Sequence, residues 1–233
     1  MIISSILIVL LLLLLSLLFL SITMISSSSI SLAKNSIRQE VKNKLKTLSI
    51  SQIEEQSLLV TNSLTYQQCY LQSKAICIYL SMKNEIMTLP IIKDAFNKNK
   101  RVFIPKVLGG KSEELVLYEL SNYSEIDHFP KSKWGIPEPT IEMVNSKPDG
   151  INLNAIDLIV VPGVAFDTKC GRVGHGKGYY DCLLERINNF NTTPVITVGL
   201  SLEEQIIEGE VPKESHDIGL NYIITSSTIY TNC

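Results

Sequence analysis

Short apolar runs, separated by segments of helical spacing, recur along most of the chain. The runs are rich in β-branched residues, as expected of strands that are buried on both faces. Such strands are predicted at residues 75–80, 101–105, 156–161, 194–200 and 222–225, with a more exposed strand at 115–120. The pattern therefore indicates a sheet assembled from segments distant in sequence.

Amphipathic helices are predicted between these strands. The first covers residues 34–48. Its apolar face carries Ile37, Val41, Leu45 and Leu48. Ser51 and Glu54 fit a capping box that opens a second helix ending near Tyr66. Further helices are predicted over residues 89–97, 180–187 and 202–207, and residues 130–148 are predicted to be a proline-rich loop.

This alternation of strands and helices predicts an α/β fold. We expect three α/β/α layers around a mostly parallel sheet. Ligands of such sheets bind beyond the carboxyl ends of the strands. The loops that follow Leu80, Val161 and Leu200 should therefore converge on a binding site.

The N-terminal region differs from the rest of the chain. Residues 2–20 are apolar apart from three serines, a serine-rich stretch follows, and the first charged residue is Lys34. We therefore divide the chain into a segment over residues 1–32 and one catalytic domain over residues 33–233. The segment is long enough to span a bilayer. It is interpreted as a signal anchor, a cleaved signal peptide or an extension that the mature protein lacks; the basic residues after it favour a domain facing the cytoplasm.

Composition narrows the possible partners. The formal net charge of −2 gives no argument for nucleic acid as a partner. The five cysteines form no C-x-x-C pair and are typical of reduced thiols in an intracellular protein. The three histidines are too scattered in sequence to predict a zinc site.

A glycine-rich loop carries the clearest chemical signal. Glycines occupy positions 171, 174, 176 and 178, with Arg172, Lys177 and Asp181 among or just after them. Successive backbone N–H groups in such a loop form a concave anion site, and the predicted helix that follows adds its N-terminus. The loop predicts a polyphosphate site with two cations and a carboxylate for a metal ion. The alternative is a glycine-rich surface turn.

The loop differs from a nucleotide P-loop. Gly171 to Lys177 fits G-x-x-x-x-G-K, but Gly178 stands where Ser or Thr would bind magnesium. The loop also begins several residues after its strand. A standard P-loop NTPase is therefore not predicted.

Two stretches together resemble the signature of the 5-formyltetrahydrofolate cyclo-ligase family. They run from Pro162 to Asp167 and from Arg172 to Asp181. Three shorter stretches agree in order, at residues 34–38, 80–86 and 134–139. The resemblance covers roughly residues 33–225. It implies a CoA-transferase-like variant of the three-layer fold, and an enzyme that uses ATP and Mg²⁺ to cyclise 5-formyltetrahydrofolate to 5,10-methenyltetrahydrofolate.

The resemblance also implies site residues. Lys177 and Arg172 would be catalytic, and Asp181 and Asp217 would bind the metal. ATP would contact Lys34, Asn35, Ser36, Ile37, Arg38, Arg172, Val173, Gly174, His175, Gly176, Lys177, Gly178, Tyr179 and Tyr180. The folate would contact Arg38, Leu80, Glu85, Trp134, His175, Gly176, Lys177, Gly178 and Tyr179. His175 stands at a position that varies in the family, so no acid–base role follows for it.

Two other functions remain open on the sequence alone. One is a different nucleotide-dependent phosphotransferase or NTPase that uses the same glycine-rich loop. The other is a membrane-tethered sensor of a nucleotide or another ligand, without catalytic activity. A monomer in the cytoplasm is expected; attachment to a membrane through residues 2–20 and a mitochondrial location are the alternatives.

Overall fold

A computed structural model describes residues 28–132, 135–191 and 193–232 of the chain. The apolar segment and Trp134 therefore lie outside the described residues, and the predictions made for them remain predictions. Among the described residues, no helix is both long and apolar enough to cross a bilayer.

A seven-stranded sheet forms the centre of the fold. Its strand order is β3-β2-β1-β4-β7-β8-β9, and β5 and β6 form a separate two-stranded hairpin. The strands are β1 Ala75–Ile78, β2 Arg101–Val107, β3 Leu115–Leu120, β4 Leu158–Val161, β5 Ala165–Phe166, β6 Arg172–Val173, β7 Ile196–Leu200, β8 Tyr222–Ile224 and β9 Ile229–Thr231. The five central strands pair in parallel, and β3 and β9 pair antiparallel at the two edges.

Helices cover both faces of this sheet. They are α1 over residues 28–45, α2 Ile50–Thr65, α3 Gln68–Gln72, α4 Leu89–Asn97, α5 Ile141–Asn145 and α6 Tyr179–Phe190. Alternate residues of β1 point to opposite sides: Ile76 joins a core with α1, α2 and α4, whereas Cys77 joins a core with α6. The predicted three-layer α/β/α fold with a mostly parallel sheet is confirmed.

Some predicted details were wrong. The capping box at α2 is formed by Ser49 and Gln52, because the Ser49 hydroxyl accepts from the Gln52 N–H and the Gln52 side chain accepts from the Ser49 N–H. The helix predicted at 202–207 is a single 3₁₀ turn, Glu203–Gln205. The loop predicted at 130–148 contains the short α5.

Strand β3 is more buried than its alternation predicted. Four of its residues, Leu115, Leu117, Tyr118 and Leu120, are buried. Two polar side chains form hydrogen bonds with the backbone of β3. Asp149 accepts from the Leu117 N–H, and Lys147 donates to the Glu119 carbonyl. The sequence does not show that the segment after Pro130 returns to this edge.

Candidate active site

Two adjoining cavities lie at the carboxyl ends of the parallel strands. The first, here called the polar cavity, has a volume of about 470 Å³. It is lined by every residue from 172 to 181, and by Ser31, Lys34, Asn35, Arg38, Pro162, Glu214, His216 and Asp217. Helix α1 thus faces the glycine-rich loop across the cavity, although the two are about 140 residues apart in sequence.

The second cavity, here called the apolar cavity, has a volume of about 570 Å³. It is lined by Arg38, Gln39, Lys42, Leu45, Met82, Lys83, Asn84, Glu85, Gly163, Val164, His175 and Gln205. Its walls include the loops that follow β1, β4 and β7. The predicted convergence of these three loops is confirmed.

Arg38 and His175 line both cavities and therefore stand at their common border. The Arg38 Nε donates to the Gly174 carbonyl at 2.7 Å, and its Nη1 donates to the Asn35 side chain at 2.6 Å. These bonds hold the guanidinium against the glycine-rich loop. A ligand that spans the border would meet the Arg38 cation from either side.

The glycines of the loop have two different roles. Gly176 and Gly178 adopt φ angles of +89° and +68°, which favour glycine, and Gly178 is the N-cap residue of α6. Gly171 is buried outside both cavities. A Cβ atom at Gly171 would lie 2.4 Å from the Asp167 Oδ2. The later glycines therefore line the polar cavity, where a ligand can contact them. Gly171 does not line it and is required by packing.

Asp167 explains that packing. This fully buried carboxylate accepts from the backbone N–H groups of Lys169, Gly171 and Val211, at 2.9, 2.7 and 2.8 Å. Its hydrogen bonds fix the turn between β5 and β6, and hence the strand on which Arg172 lies. Although the signature included Asp167, this role could not be derived from the sequence.

Lys34 is buried and ion-paired in the polar cavity. Its Nζ lies 2.9 Å from the Glu214 Oε2 and 2.5 Å from the Asp217 Oδ2. Burial alone would lower the pKa of Lys34, but the bonds to the two carboxylates outweigh it and hold that pKa above its usual value. Burial alone would raise the pKa of Asp217. The hydrogen bonds from the Glu214 N–H and from the Lys34 ammonium outweigh this effect and lower that pKa. Both groups are charged at neutral pH.

Arg172 and Asp181 form a second ion pair in the polar cavity. The Arg172 Nη2 lies 2.8 Å from the Asp181 Oδ1, which also accepts from the Ile218 N–H at 3.3 Å. The latter bond brings Asp217, the neighbour of Ile218 in sequence, into the vicinity of Asp181. The buried Arg172 Nε has no hydrogen-bond partner among the described residues.

Lys177 differs from the other cations of the polar cavity. Its side chain is exposed. Within the described part of the chain, no hydrogen bond or ion pair engages its Nζ. The Lys177 ammonium is therefore available to a bound anion.

Glu85 brings a buried negative charge to the apolar cavity. It is 8% exposed. Its Oε2 accepts from the Met82 N–H at 2.8 Å, and its Oε1 lies 3.9 Å from the His175 Nε2. Burial first, and then nearby acidic groups that include Glu85, raise the pKa of Tyr180 well above its usual value. The Tyr180 phenol thus remains protonated and can donate.

Three predicted site residues lie elsewhere. Ser36 is exposed and lines neither cavity, whereas Ile37 packs against the core beneath α1. Leu80 also packs against that core and is absent from both cavity walls. Lys34, Asn35, Arg38 and Glu85 do line the cavities, as do the predicted residues of the loop.

Several lining residues had not been predicted. Glu214 and His216 join Asp217 in a group whose ligand atoms lie within 4.8 Å of one another. Their closeness in sequence was a signal that could have found them. Gln205 follows β7 in a 3₁₀ turn and lines the apolar cavity, but no local pattern marks it.

Known proteins are similar to this chain over most of its length. The model of the 5-formyltetrahydrofolate cyclo-ligase family matches residues 30–226. The mouse 5-formyltetrahydrofolate cyclo-ligase is 34% identical over 196 residues, which are 84% of this chain and 95% of the mouse protein. A probable 5-formyltetrahydrofolate cyclo-ligase of Schizosaccharomyces pombe is 32% identical over 210 residues, covering 87% of this chain and 100% of the yeast protein.

A solved structure agrees with these relatives. The NMR structure of Aquifex aeolicus 5,10-methenyltetrahydrofolate synthetase superposes with a TM-score of 0.66 at 26% identity, over 85% of this chain and 92% of the Aquifex chain. The matched region contains both cavities and the glycine-rich loop between them. The chain therefore belongs to the 5-formyltetrahydrofolate cyclo-ligase family.

Proposed function

We propose that this protein converts 5-formyltetrahydrofolate to 5,10-methenyltetrahydrofolate, with ATP and Mg²⁺. Family membership supports this function. The observation that carries it is the pair of cavities that adjoin at Arg38 and His175. The polar cavity suits a polyphosphate, the apolar cavity suits a flat heterocycle, and their border is where the two reactants would meet.

The proposed reaction has two steps. The formyl oxygen attacks the γ-phosphorus of ATP, and the bond to the bridging oxygen breaks so that ADP leaves. The folate N10 then attacks the activated formyl carbon and loses its proton, and inorganic phosphate leaves as the C–O bond breaks. The products are the methenyl ring, ADP and phosphate.

The residues of the polar cavity fit a transfer of this kind. Catalysis of phosphoryl transfer consists mainly of positioning and of stabilising charge on the moving group. Lys177 offers an ammonium that no described residue engages, and the N-terminus of α6 begins at Gly178 in the same cavity. Arg172, held by Asp181, adds a fixed guanidinium. These groups would bind the phosphates before and during transfer.

The carboxylates fit a magnesium ion. Mg²⁺ takes oxygen ligands, commonly one or two carboxylates together with substrate phosphates. The Asp181 Oδ1 and the Asp217 Oδ2 accept hydrogen bonds, whereas within the described chain no bond occupies the Asp181 Oδ2 or the Asp217 Oδ1. Each carboxylate thus keeps one oxygen for the ion. When bound, Mg²⁺ would neutralise phosphate charge; Arg172 and Lys34 orient the two carboxylates.

The apolar cavity would take the folate. Glu85 can accept hydrogen bonds from the amino and ring N–H groups of a pterin, and the bond from the Met82 N–H holds this carboxylate in place. Leu45, Met82 and Val164 supply apolar walls. Trp134 is proposed to cover the pterin.

The test is a direct assay of the purified protein. It is mixed with 5-formyltetrahydrofolate, ATP and Mg²⁺, and the near-ultraviolet absorbance of the methenyl product is followed. We expect product only when ATP and Mg²⁺ are both present. ADP release that does not require the folate would support the alternative of an NTPase; a folded protein that binds ATP without forming product would refute the proposal.

Location and assembly are proposed separately. We infer that the protein acts as a monomer in the cytoplasm. Sedimentation of the full chain, and fractionation of cells into cytosol, membranes and mitochondria, test the two statements. Recovery with membranes would instead support attachment through residues 2–20.

A further inference from the structure

We propose that Gln205 is a positioning residue of the reaction. It holds the Gly163–Val164 wall of the apolar cavity where the formylfolate binds. This inference rests on the proposed function. It concerns a side chain that follows β7 and lies far in sequence from the glycine-rich loop.

Gln205 has each end of its amide engaged. The side chain is 2% exposed. Its Nε2 donates to the Gly163 carbonyl at 2.7 Å and to the Val164 carbonyl at 3.2 Å, and its Oε1 accepts from the Leu202 N–H at 3.0 Å. One planar group thus joins the loop after β7 to the loop after β4. Because Gln205 itself lines the apolar cavity, this junction forms part of the cavity wall.

The wall that Gln205 holds is connected to the border of the two cavities. The Val164 N–H donates to the Val173 carbonyl at 2.7 Å. Val173 precedes Gly174, whose carbonyl accepts from Arg38. A shift of the Gly163–Val164 segment would therefore change the shape of the apolar cavity. It would also move the part of the glycine-rich loop that Arg38 contacts.

The segment has little freedom to rearrange on its other side. A Cβ atom at Gly163 would lie 2.5 Å from the Phe166 ring, so the backbone already passes close to that ring. The Phe166 carbonyl accepts from the Ile207 N–H at 2.9 Å, which fixes β5 beside the same turn. The Gln205 amide, together with the bond from the Val164 N–H to the Val173 carbonyl, therefore fixes the position of this segment beside the cavity.

The hydrogen-bonding groups around Gln205 explain why an amide side chain suits this position. Two carbonyl oxygens need a donor, and the Leu202 N–H needs an acceptor; a glutamine supplies both. A methionine fills the same volume without donating. A glutamate keeps the acceptor but turns a carboxylate toward two carbonyls, where burial favours its protonated form.

The experiment compares Gln205→Met and Gln205→Glu with the matched control Gln56→Met. Gln56 lies on α2 and binds the same 3₁₀ turn, through the Glu203 N–H at 2.9 Å and the Glu204 carboxylate at 3.1 Å. It lines neither cavity. Gln56→Met therefore removes bonds from this turn without touching the wall.

We expect Gln205→Met to raise the KM for 5-formyltetrahydrofolate by about fivefold, from the loss of neutral hydrogen bonds, and the KM for ATP by a smaller factor of about twofold, through the link to the glycine-rich loop. Gln56→Met should change neither constant beyond about twofold. Gln205→Glu should show a larger defect at pH 8.5 than at pH 6, relative to the wild type at each pH, because the protonated carboxyl can donate again. Melting temperatures show whether each variant is folded.

Each outcome decides between specific statements. An inactive wild type refutes the proposed function itself. An active wild type with an unchanged folate KM in folded Gln205→Met overturns the positioning role. Equal defects in Gln56→Met and Gln205→Met would also overturn it, since both would then report only the stability of the turn. If Gln205→Met does not fold, the pH dependence of Gln205→Glu decides, and a pH-independent defect is the contrary result.

Discussion

Lys34 and Asp217 bind each other, with the Lys34 Nζ 2.5 Å from the Asp217 Oδ2. The family resemblance implies different partners for them, ATP phosphates for Lys34 and magnesium for Asp217. Their contact places both residues in one site, because the lysine orients the carboxylate and both line the polar cavity. A bound nucleotide with its metal ion would meet a preformed pair at this wall.

Replacing Lys34 should therefore weaken nucleotide binding. Lys34→Met leaves Asp217 and Glu214 without their shared cation, so negative charge would face the phosphates. We expect the KM for ATP to rise by about tenfold or more, as for loss of a charge-assisted contact. Lys44→Met is the matched control on α1, because among the described residues the Lys44 side chain pairs only with the exposed Glu40. Equal KM values for ATP in the two variants would contradict a role of Lys34 in nucleotide binding.

Lys177 should matter for turnover rather than for folding. Its side chain is exposed and engages no other described residue. Lys177→Ala should therefore leave the melting temperature within about 2 °C of the wild type. Turnover should fall by roughly 10²- to 10³-fold, the usual cost of losing one charge-stabilising donor.

The control for Lys177 is Lys169→Ala. Lys169 is likewise an exposed lysine, and it pairs with Glu210 outside the cavities. The Lys169→Ala variant should keep the turnover rate of the wild type. Normal turnover in Lys177→Ala, with ATP affinity intact, would refute the role given to the loop.

Asp181 should set the magnesium requirement. Asp181→Asn keeps an oxygen that can accept from Arg172 but loses the negative charge that attracts the ion. We expect the Mg²⁺ concentration for half-maximal rate to rise by about tenfold, a change worth about 1.4 kcal/mol. The exposed Glu210→Gln is the control, and an Mg²⁺ titration that matches the wild type would remove Asp181 from the ligand set.

Asp94 allows a test of stability that is independent of the site. It accepts from the Tyr70 hydroxyl at 2.7 Å and from the Lys98 Nζ at 2.8 Å. Burial alone would raise the pKa of Asp94, but these hydrogen bonds outweigh it and hold that pKa below its usual value. Such a carboxylate stabilises the fold above its unfolded pKa of about 3.9, and the stabilisation is lost as the pH falls through the lower folded value.

The corresponding variant is Asp94→Asn. At pH 7 it should lower the free energy of unfolding by roughly 1 kcal/mol. The difference from the wild type should shrink as the pH falls below about 4. Denaturant unfolding at several pH values measures this, with Asp127→Asn as an exposed control. A difference that is constant across this range would mean that the charge of Asp94 contributes nothing.

The sequence predicted the sheet well because its central strands are apolar runs of sufficient length. The parallel strands β1, β2, β4, β7 and β8 all fall within predicted segments or overlap them. Two-residue strands such as β5 and β6 have no detectable period, so the hairpin that carries Arg172 could not be predicted. The 3₁₀ turn at Glu203–Gln205 was assigned as a helix because its short apolar spacing fits either form.

The candidate site was predictable where its residues are close in sequence. The loop from Arg172 to Asp181 was found as one motif, and all of it lines the polar cavity. The partners of its charged groups were not predictable. That Lys34 would reach Asp217, or that Gln205 would hold Gly163, depends on how distant segments pack.

The position of Arg38 can couple the binding of a ligand in one cavity to the binding of a ligand in the other. One guanidinium borders both cavities and is tied to the Gly174 carbonyl between them. A nucleotide that displaced Arg38 would change the electrostatic potential at a bound folate, and a folate that displaced it would change the potential at the nucleotide. Thermodynamic linkage makes these effects equal. We therefore expect the two ligands to influence each other's affinity, with Arg38 contributing to the coupling free energy.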